Sequence, residues 1–140
     1  LGRLQLKFDA ARLEFLARVI VQVAPHRWVT VELVLDSGSN ATGLHAGVAR
    51  RSGVEPGLLP REDLDFVASR AQIPYLEGVR LVFAGDTMHT PVEARLAILP
   101  DPREGSGGGE AAGVLGLDVL KDLGARVVLD LGRAGGFVDW

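Results

Sequence analysis

Residues 33 to 39 read Leu33-Val34-Leu35-Asp36-Ser37-Gly38-Ser39, an aliphatic run that ends abruptly on a carboxylate and a cluster of turn-forming residues. The run has the composition of a buried strand, and the turn residues through Asn40 form a polar loop at its end. A carboxylate placed there is either solvated by its own loop or held by backbone N–H donors. The Ser37-Gly38 that follows supplies a hydroxyl and permits close backbone approach. Two readings fit the segment alone. In one, Asp36 caps an ordinary Asx turn and Gly38 takes a positive φ; in the other, the loop fixes an acid for chemistry.

Outward from this stretch the chain is patterned as β structure. Leu13 to Val23 is rich in β-branched residues and is separated from Trp28 to Leu35 only by Ala24-Pro25-His26-Arg27, which predicts a hairpin running into the Asp36 loop. Upstream, Leu4, Leu6 and Phe8 alternate with Gln5 and Lys7, the period of a half-buried opening strand. Downstream, Leu44 to Arg51 is weakly helical and stops at Gly53, before irregular chain around Pro56, Gly57 and Pro60. Leu64 to Tyr75 predicts a second hairpin, and Val79 to Ala84 with Val92 to Leu99, flanking Gly85 and Asp86, a third.

Pro100 to Gly113 holds Gly105, Gly107, Gly108 and Gly109 and reads as a flexible loop; it lacks the Gly-Lys-Ser/Thr ending of a phosphate loop. Val114 to Leu117 is a brief apolar segment, Asp118 to Leu123 a short helix closed by Gly124, and Val127 to Leu131 a last strand. The sum is a mainly β fold of about six to eight strands and two short helices, a barrel or sandwich, with residues 1–140 expected to form one domain.

Composition narrows the function classes. Of 140 residues, 47% are hydrophobic and 24% charged, the balance of a soluble folded domain. A formal net charge of −3 offers no basic surface for a polyanion, so nucleic acid is not expected as a partner. The absence of cysteine excludes disulfides, thiolate metal sites and cysteine nucleophiles. His26, His45 and His89 have no mutual spacing suited to a metal, so no metal or cofactor is expected. The longest apolar stretch, Phe15 to Ala24, is broken by Arg18 and Gln22 and falls short of the roughly 20 residues of a membrane helix. The first residue is Leu1, so a signal, anchor or further domain can precede it, and the compartment is left open between cytoplasm and periplasm.

A second element gives the Asp36 loop its meaning: Ala112-Gly113-Val114-Leu115-Gly116-Leu117-Asp118-Val119-Leu120, about eighty residues later. Together, an apolar strand into Asp-Ser-Gly-Ser and a later apolar pair plus glycine leading into a short helix resemble the retropepsin-like aspartic proteases, in particular their small bacterial members. Leu33 to Ser39 matches the family's apolar-apolar-Asp-Thr/Ser-Gly-Ala/Ser motif at each position, and Val114-Leu115-Gly116 matches its apolar-apolar-Gly stretch.

The resemblance implies a closed, barrel-like β fold, one catalytic aspartate per chain, Asp36, and an active site completed by a second copy. It implies peptide or protein substrates. The chemistry is consistent with that requirement, because hydrolysis by this route uses one carboxylate to take a proton from water and another to donate to the carbonyl oxygen. Two Asp36 side chains brought together would share a proton, since like charges about 3 Å apart do not both ionise readily.

By the same resemblance Ser37 would hydrogen-bond to the partner loop, Gly38 would line the cleft, and Ser39 would reach the outer oxygen of Asp36. A flap hairpin is expected between Asp65 and Tyr75, with its tip near Ala68, Ser69 and Arg70, although no glycine occurs from Leu58 to Leu76. The terminal segments Leu1 to Phe8 and Gly136 to Trp140 are candidates either for a sheet interleaved between two copies or for packing in their own barrel.

Other readings of these residues are open to the same physical tests. A chymotrypsin-like reading, with Ser37 as nucleophile and His26 or His45 as base, fails because Leu35 and Ser39 stand where that family has glycines and 140 residues cannot form two barrels. Asp118 and Asp130 have structural readings, at a helix start and on the outer side of a strand. The rival of a different class is a catalytically silent module that keeps the retropepsin fold for dimerisation or peptide binding.

Overall fold

The structure is a computed structural model that describes residues 2–65, 69–102 and 111–140. In chain order its elements are β1 (Arg3–Asp9), β2 (Glu14–Ala24), β3 (Arg27–Leu35), β4 (Gly43–His45), α1 (Ala46–Arg51), β5 (Arg61–Asp65), β6 (Arg70–Ala84), β7 (His89–Leu99), β8 (Gly113–Leu115), α2 (Leu117–Leu123), β9 (Arg126–Asp130) and β10 (Gly135–Asp139).

Period-two burial builds the barrel. Along β2, Phe15, Ala17, Val19, Val21 and Val23 are buried in alternation, and Val31 and Leu33 of β3 and Val79, Leu81 and Phe83 of β6 do the same. Joining the two-residue turn Pro25-His26, β2 and β3 pair antiparallel, Val19 opposite Val31. Hydrogen-bonded neighbours then run β2-β3-β8-β4-β7-β6, and β6 returns to β2 through Ile20 opposite Val82, closing a six-stranded ring. Closure leaves no free edge in the ring, so the barrel's ladder groups are satisfied internally.

Two pairings inside the ring are parallel: β3 with β8 and β4 with β7. A parallel pair needs a long crossover rather than a tight turn, and here the crossover carries β4 to β7. Leu44, Leu96, Leu115 and Val119 of α2 join the β2 and β6 side chains in one continuous core.

Beyond the ring, β2 hands on to β1, and β1 to β10 and β9. The two ends of the chain therefore pair with each other: Leu4 lies opposite Val138, and Gly2 and Trp140 exchange backbone hydrogen bonds of 2.8 and 3.0 Å. Within this chain the terminal segments pack on each other, and Leu6 and Val138 are buried in the same core. The Trp140 indole meets Phe83 edge-on with centroids 6.0 Å apart, and its Nε1 donates to Thr90 Oγ1 at 2.7 Å. A Cβ on Gly2 would sit 2.3 Å from that ring, so glycine there leaves room for the indole.

The ten strands of the described residues exceed the expected six to eight. The extra ones are β4 and β8, three residues each and too short to show a period, and β10, which opens on Gly135-Gly136. In the other direction, two expected segments fuse: β6 is continuous from Arg70 to Ala84, with a register shift between Leu76 and Val79 where Gly78 takes φ +64°.

Two outcomes are expected. Phe83→Ala removes a fully buried ring together with its indole contact and should cost about 3–5 kcal/mol in chemical denaturation. The second concerns Arg3, whose Nε and Nη2 donate to Asp139 Oδ1 and Oδ2 at 2.6 and 2.9 Å. That hydrogen bond, and secondarily the charges of Arg3 and Arg126, holds the Asp139 carboxyl below its usual value against an opposing effect of burial. A carboxyl lowered in the folded state adds stability above its unfolded value near pH 3.9, lost as pH falls through the native value. The stability gap between wild type and Asp139→Asn should thus be constant from about pH 5 upward and shrink progressively as pH falls below the unfolded value near pH 3.9, followed by urea unfolding at each pH.

Candidate active site

The two sequence elements singled out above lie side by side. β3 and β8 pair in parallel, Leu33 opposite Gly113, Val34 opposite Val114 and Leu35 opposite Leu115. The Asp36 amide extends this ladder by one rung, donating to the Leu115 carbonyl at 3.0 Å. Asp36 is thereby held by its backbone at the barrel rim, with a half-buried side chain, while Ser37 and Gly38 beyond it are exposed.

The loop then folds back on the carboxylate. Gly38 N–H donates to Asp36 Oδ1 at 2.9 Å and Ser39 N–H to the Asp36 carbonyl at 3.2 Å, an Asx turn. The Asx turn is formed without the positive φ that the turn reading gave Gly38, since among the described residues only Gly53, Gly78 and Gly124 are glycines with one. The requirement at Gly38 is proximity: a Cβ there would lie 3.2 Å from Asp36 Oδ1. Ser39 is also turned away from its expected partner. Its hydroxyl donates to the Ala41 carbonyl at 2.8 Å and accepts from the Ala41 amide at 3.3 Å, closing the far end of the loop instead of reaching Asp36.

A second set of bonds, centred on Thr42, a residue with no motif to mark it, clamps the loop to the start of α2. Thr42 is fully buried. Its Oγ1 accepts from the Gly116 amide at 2.9 Å and donates to Asp118 Oδ1 at 2.7 Å, while its own amide donates to Asp118 Oδ2 at 3.3 Å. Leu117 N–H adds a bond of 2.8 Å to the Ser39 carbonyl. Asp118 therefore does more than favour the positive end of a helix: it orients the threonine that orients the loop. Gly116 is required because a Cβ would stand 2.5 Å from the Ala41 carbonyl oxygen and 2.9 Å from that of Ser39. The available sequence signal was a lone threonine beside a glycine in an apolar stretch, which no periodicity distinguishes from a surface residue.

The hairpin expected to overhang the site is formed by β5 and β6, paired from Arg61 opposite Pro74 to Asp65 opposite Arg70. Ser69 is exposed, and Arg70 is the first residue of β6, its Nε 2.8 Å from Asp65 Oδ1, so it stands at the base of the turn; Ala68 lies outside the described residues. Between this hairpin and the Asp36 loop is a cavity of about 240 Å³, lined on the loop side by Asn40 and Ala41. The histidine readings find no support in position: His26 occupies the β2–β3 turn, and Nδ1 of His45 faces the Pro100 carbonyl at 3.2 Å.

Neither a protein-family model nor a curated protein sequence matches the chain. Solved structures do. A retropepsin-like aspartic protease from Rickettsia conorii superposes with a TM-score of 0.66 at 14% identity, over 99% of this chain and 91% of its own. The crystal structure of edgp superposes with a TM-score of 0.64 at 11% identity, over 97% of this chain but 45% of that one, so this chain spans less than half its length. The closed barrel with two short helices is a retropepsin-like fold.

Thr42→Val keeps the shape and deletes the hydroxyl, leaving the Gly116 amide and Asp118 without their buried partner. It should cost about 1–3 kcal/mol in urea unfolding, and Thr42→Ser, which retains the hydroxyl, clearly less.

Proposed function

We propose that the chain is one half of an aspartic endopeptidase, in which two copies bring their Asp36 side chains together to hydrolyse peptide bonds. The observation that carries this reading is the presentation of Asp36: a carboxylate fixed at the end of a parallel ladder, braced by the Gly38 amide, on a loop whose next residues are exposed. A retropepsin-like fold around that loop supports it.

On this reading one Asp36 carboxylate takes a proton from water as the water oxygen attacks the peptide carbonyl carbon. The other, protonated, donates to the carbonyl oxygen. Collapse of the tetrahedral species breaks the C–N bond, with a proton delivered to the leaving nitrogen. The dyad holds one shared proton because two carboxylates so close do not both ionise readily. Ser37, which is exposed, would contact the partner's loop, and Gly38, also exposed, would admit the substrate backbone. The β5–β6 hairpin would cover the substrate as a flap, contributing Ser69 and Arg70 near its turn, with Ala68 assigned to that turn from sequence alone. No cofactor enters this chemistry.

Cleavage of a peptide library between pH 3 and 8, at several protein concentrations, tests the proposal. Activity should rise more steeply than linearly with concentration while the dimer is incomplete, be inhibited by a hydroxyl-bearing transition-state mimic such as pepstatin, and vanish in Asp36→Asn without loss of fold. Unchanged cleavage by Asp36→Asn would sink the mechanism. A dimer in sedimentation with no cleavage at any concentration would replace it with a peptide-binding or assembly module.

A further inference from the structure

The cavity between the β5–β6 hairpin and the Asp36 loop has an internal chemistry that the proposed reaction does not use. Its walls are apolar, formed by Ala41, Leu64, Ile73, Pro74 and Ala97. Charge is confined to Glu62, Arg95 and Asp118.

Arg95 is already engaged on three sides. Its guanidinium pairs with Glu62 of β5 and with Glu77 of β6, the latter with Nε 2.7 Å from Oε1, and its Cζ lies 4.2 Å from the centroid of the Tyr75 ring. One cation thus faces two carboxylates, and its donors are largely consumed. Asp118, at the opposite side, accepts only neutral donors, the amide and hydroxyl of Thr42 and the amide of Val119. Among the described residues no cation forms an ion pair with it. Glu62 and Asp118 against Arg95 leave the cavity with an apolar body and a lining of net negative charge, and Glu77, outside the lining, takes up part of the arginine's charge.

That combination suits one kind of occupant. A lysine or arginine side chain lays its aliphatic stem along apolar walls while its charged end seeks a carboxylate. A glutamate or aspartate entering the same space would meet an arginine already paired with two carboxylates, and two lining carboxylates of its own sign, Glu62 and Asp118. We infer that this cavity is a subsite selecting a basic side chain of the peptide substrate and excluding an acidic one, with Glu62 as the residue that sets the preference. The inference rests on the endopeptidase reading of the neighbouring Asp36 loop.

Binding and turnover separate the two. Fluorescent peptides identical except at one position, carrying lysine, norleucine or glutamate in turn along the sequence, are titrated against Asp36→Asn protein at low salt by anisotropy and offered to the unmodified protein for cleavage. At one position lysine should bind about tenfold tighter than its uncharged counterpart norleucine, and glutamate weaker than both, the scale of one hydrogen bond to a charged group. Glu62→Gln should lower the lysine-to-norleucine ratio by about tenfold; a merely structural role would weaken both peptides and leave the ratio constant. Equal binding of the three peptides at every position, or a ratio unmoved by Glu62→Gln, overturns the subsite while continued cleavage leaves the endopeptidase standing. Peptides neither bound nor cleaved overturn both.

Discussion

Everything at the candidate site depends on the close parallel approach of β3 and β8. Parallel neighbours cannot be linked by a turn, so these strands, about eighty residues apart in sequence, meet only because the intervening chain wraps the barrel and returns. The approach is also tight on the far side of β8. A Cβ on Gly113 would lie 1.9 Å from the Gly43 carbonyl oxygen, and one on Gly116 2.5 Å from that of Ala41. Both contacts are with backbone, which cannot swing aside as a flexible side chain would. The glycines of the second sequence element are thus a condition for placing the first.

From that constraint the geometry of Asp36 follows. The rung from Asp36 N–H to Leu115 C=O fixes the residue at the last point where the ladder holds, and the Thr42 bonds to Gly116 and Asp118 fix the chain where it re-enters the fold. Between these anchors five residues, Ser37 to Ala41, are left to form a loop that braces the acid through Gly38 and exposes Ser37 and Gly38. The network is inexpensive in desolvation terms because Asp118, its one charged member, receives three hydrogen bonds near the rim of the barrel.

The fold was legible wherever burial imposes a period. The alternation in β1 and β2 and the aliphatic runs of β3 and β6 place core residues directly, and the Gly124 stop marks the end of α2 correctly at φ +71°. What escaped has a common cause. β4 and β8 are held by neighbours on both sides and need no pattern of their own over three residues, β10 is built on glycines, and Gly78 lets one strand bend so that its halves look separate. The place of Asp36, on a polar loop at the end of an apolar strand, was legible because a carboxylate after such a strand is conspicuous. The roles of Gly38, Ser39 and Thr42 were not, because each is set by a neighbour distant by two to seventy-six residues and by distances of a few tenths of an ångström.

The pairing of β1 with β10 bears on how a second copy could meet this one. Strands that have already exchanged hydrogen bonds within the chain, locked by the Arg3–Asp139 pair and the Trp140 indole, would have to give up those bonds to interleave with a partner. The side of β10 away from β1 is likewise occupied, by β9. A dimer built by exchange of the ends therefore starts with the loss of a complete local sheet, whereas one built by apposition of the Asp36 loops starts from groups that are already exposed. The proposed chemistry needs only the second. Apposition would leave each barrel's ladder intact and bring Ser37 and Gly38 to the junction, so that the residues flanking the acid supply the contact and the closed barrel behind them supplies the rigidity that a shared proton requires.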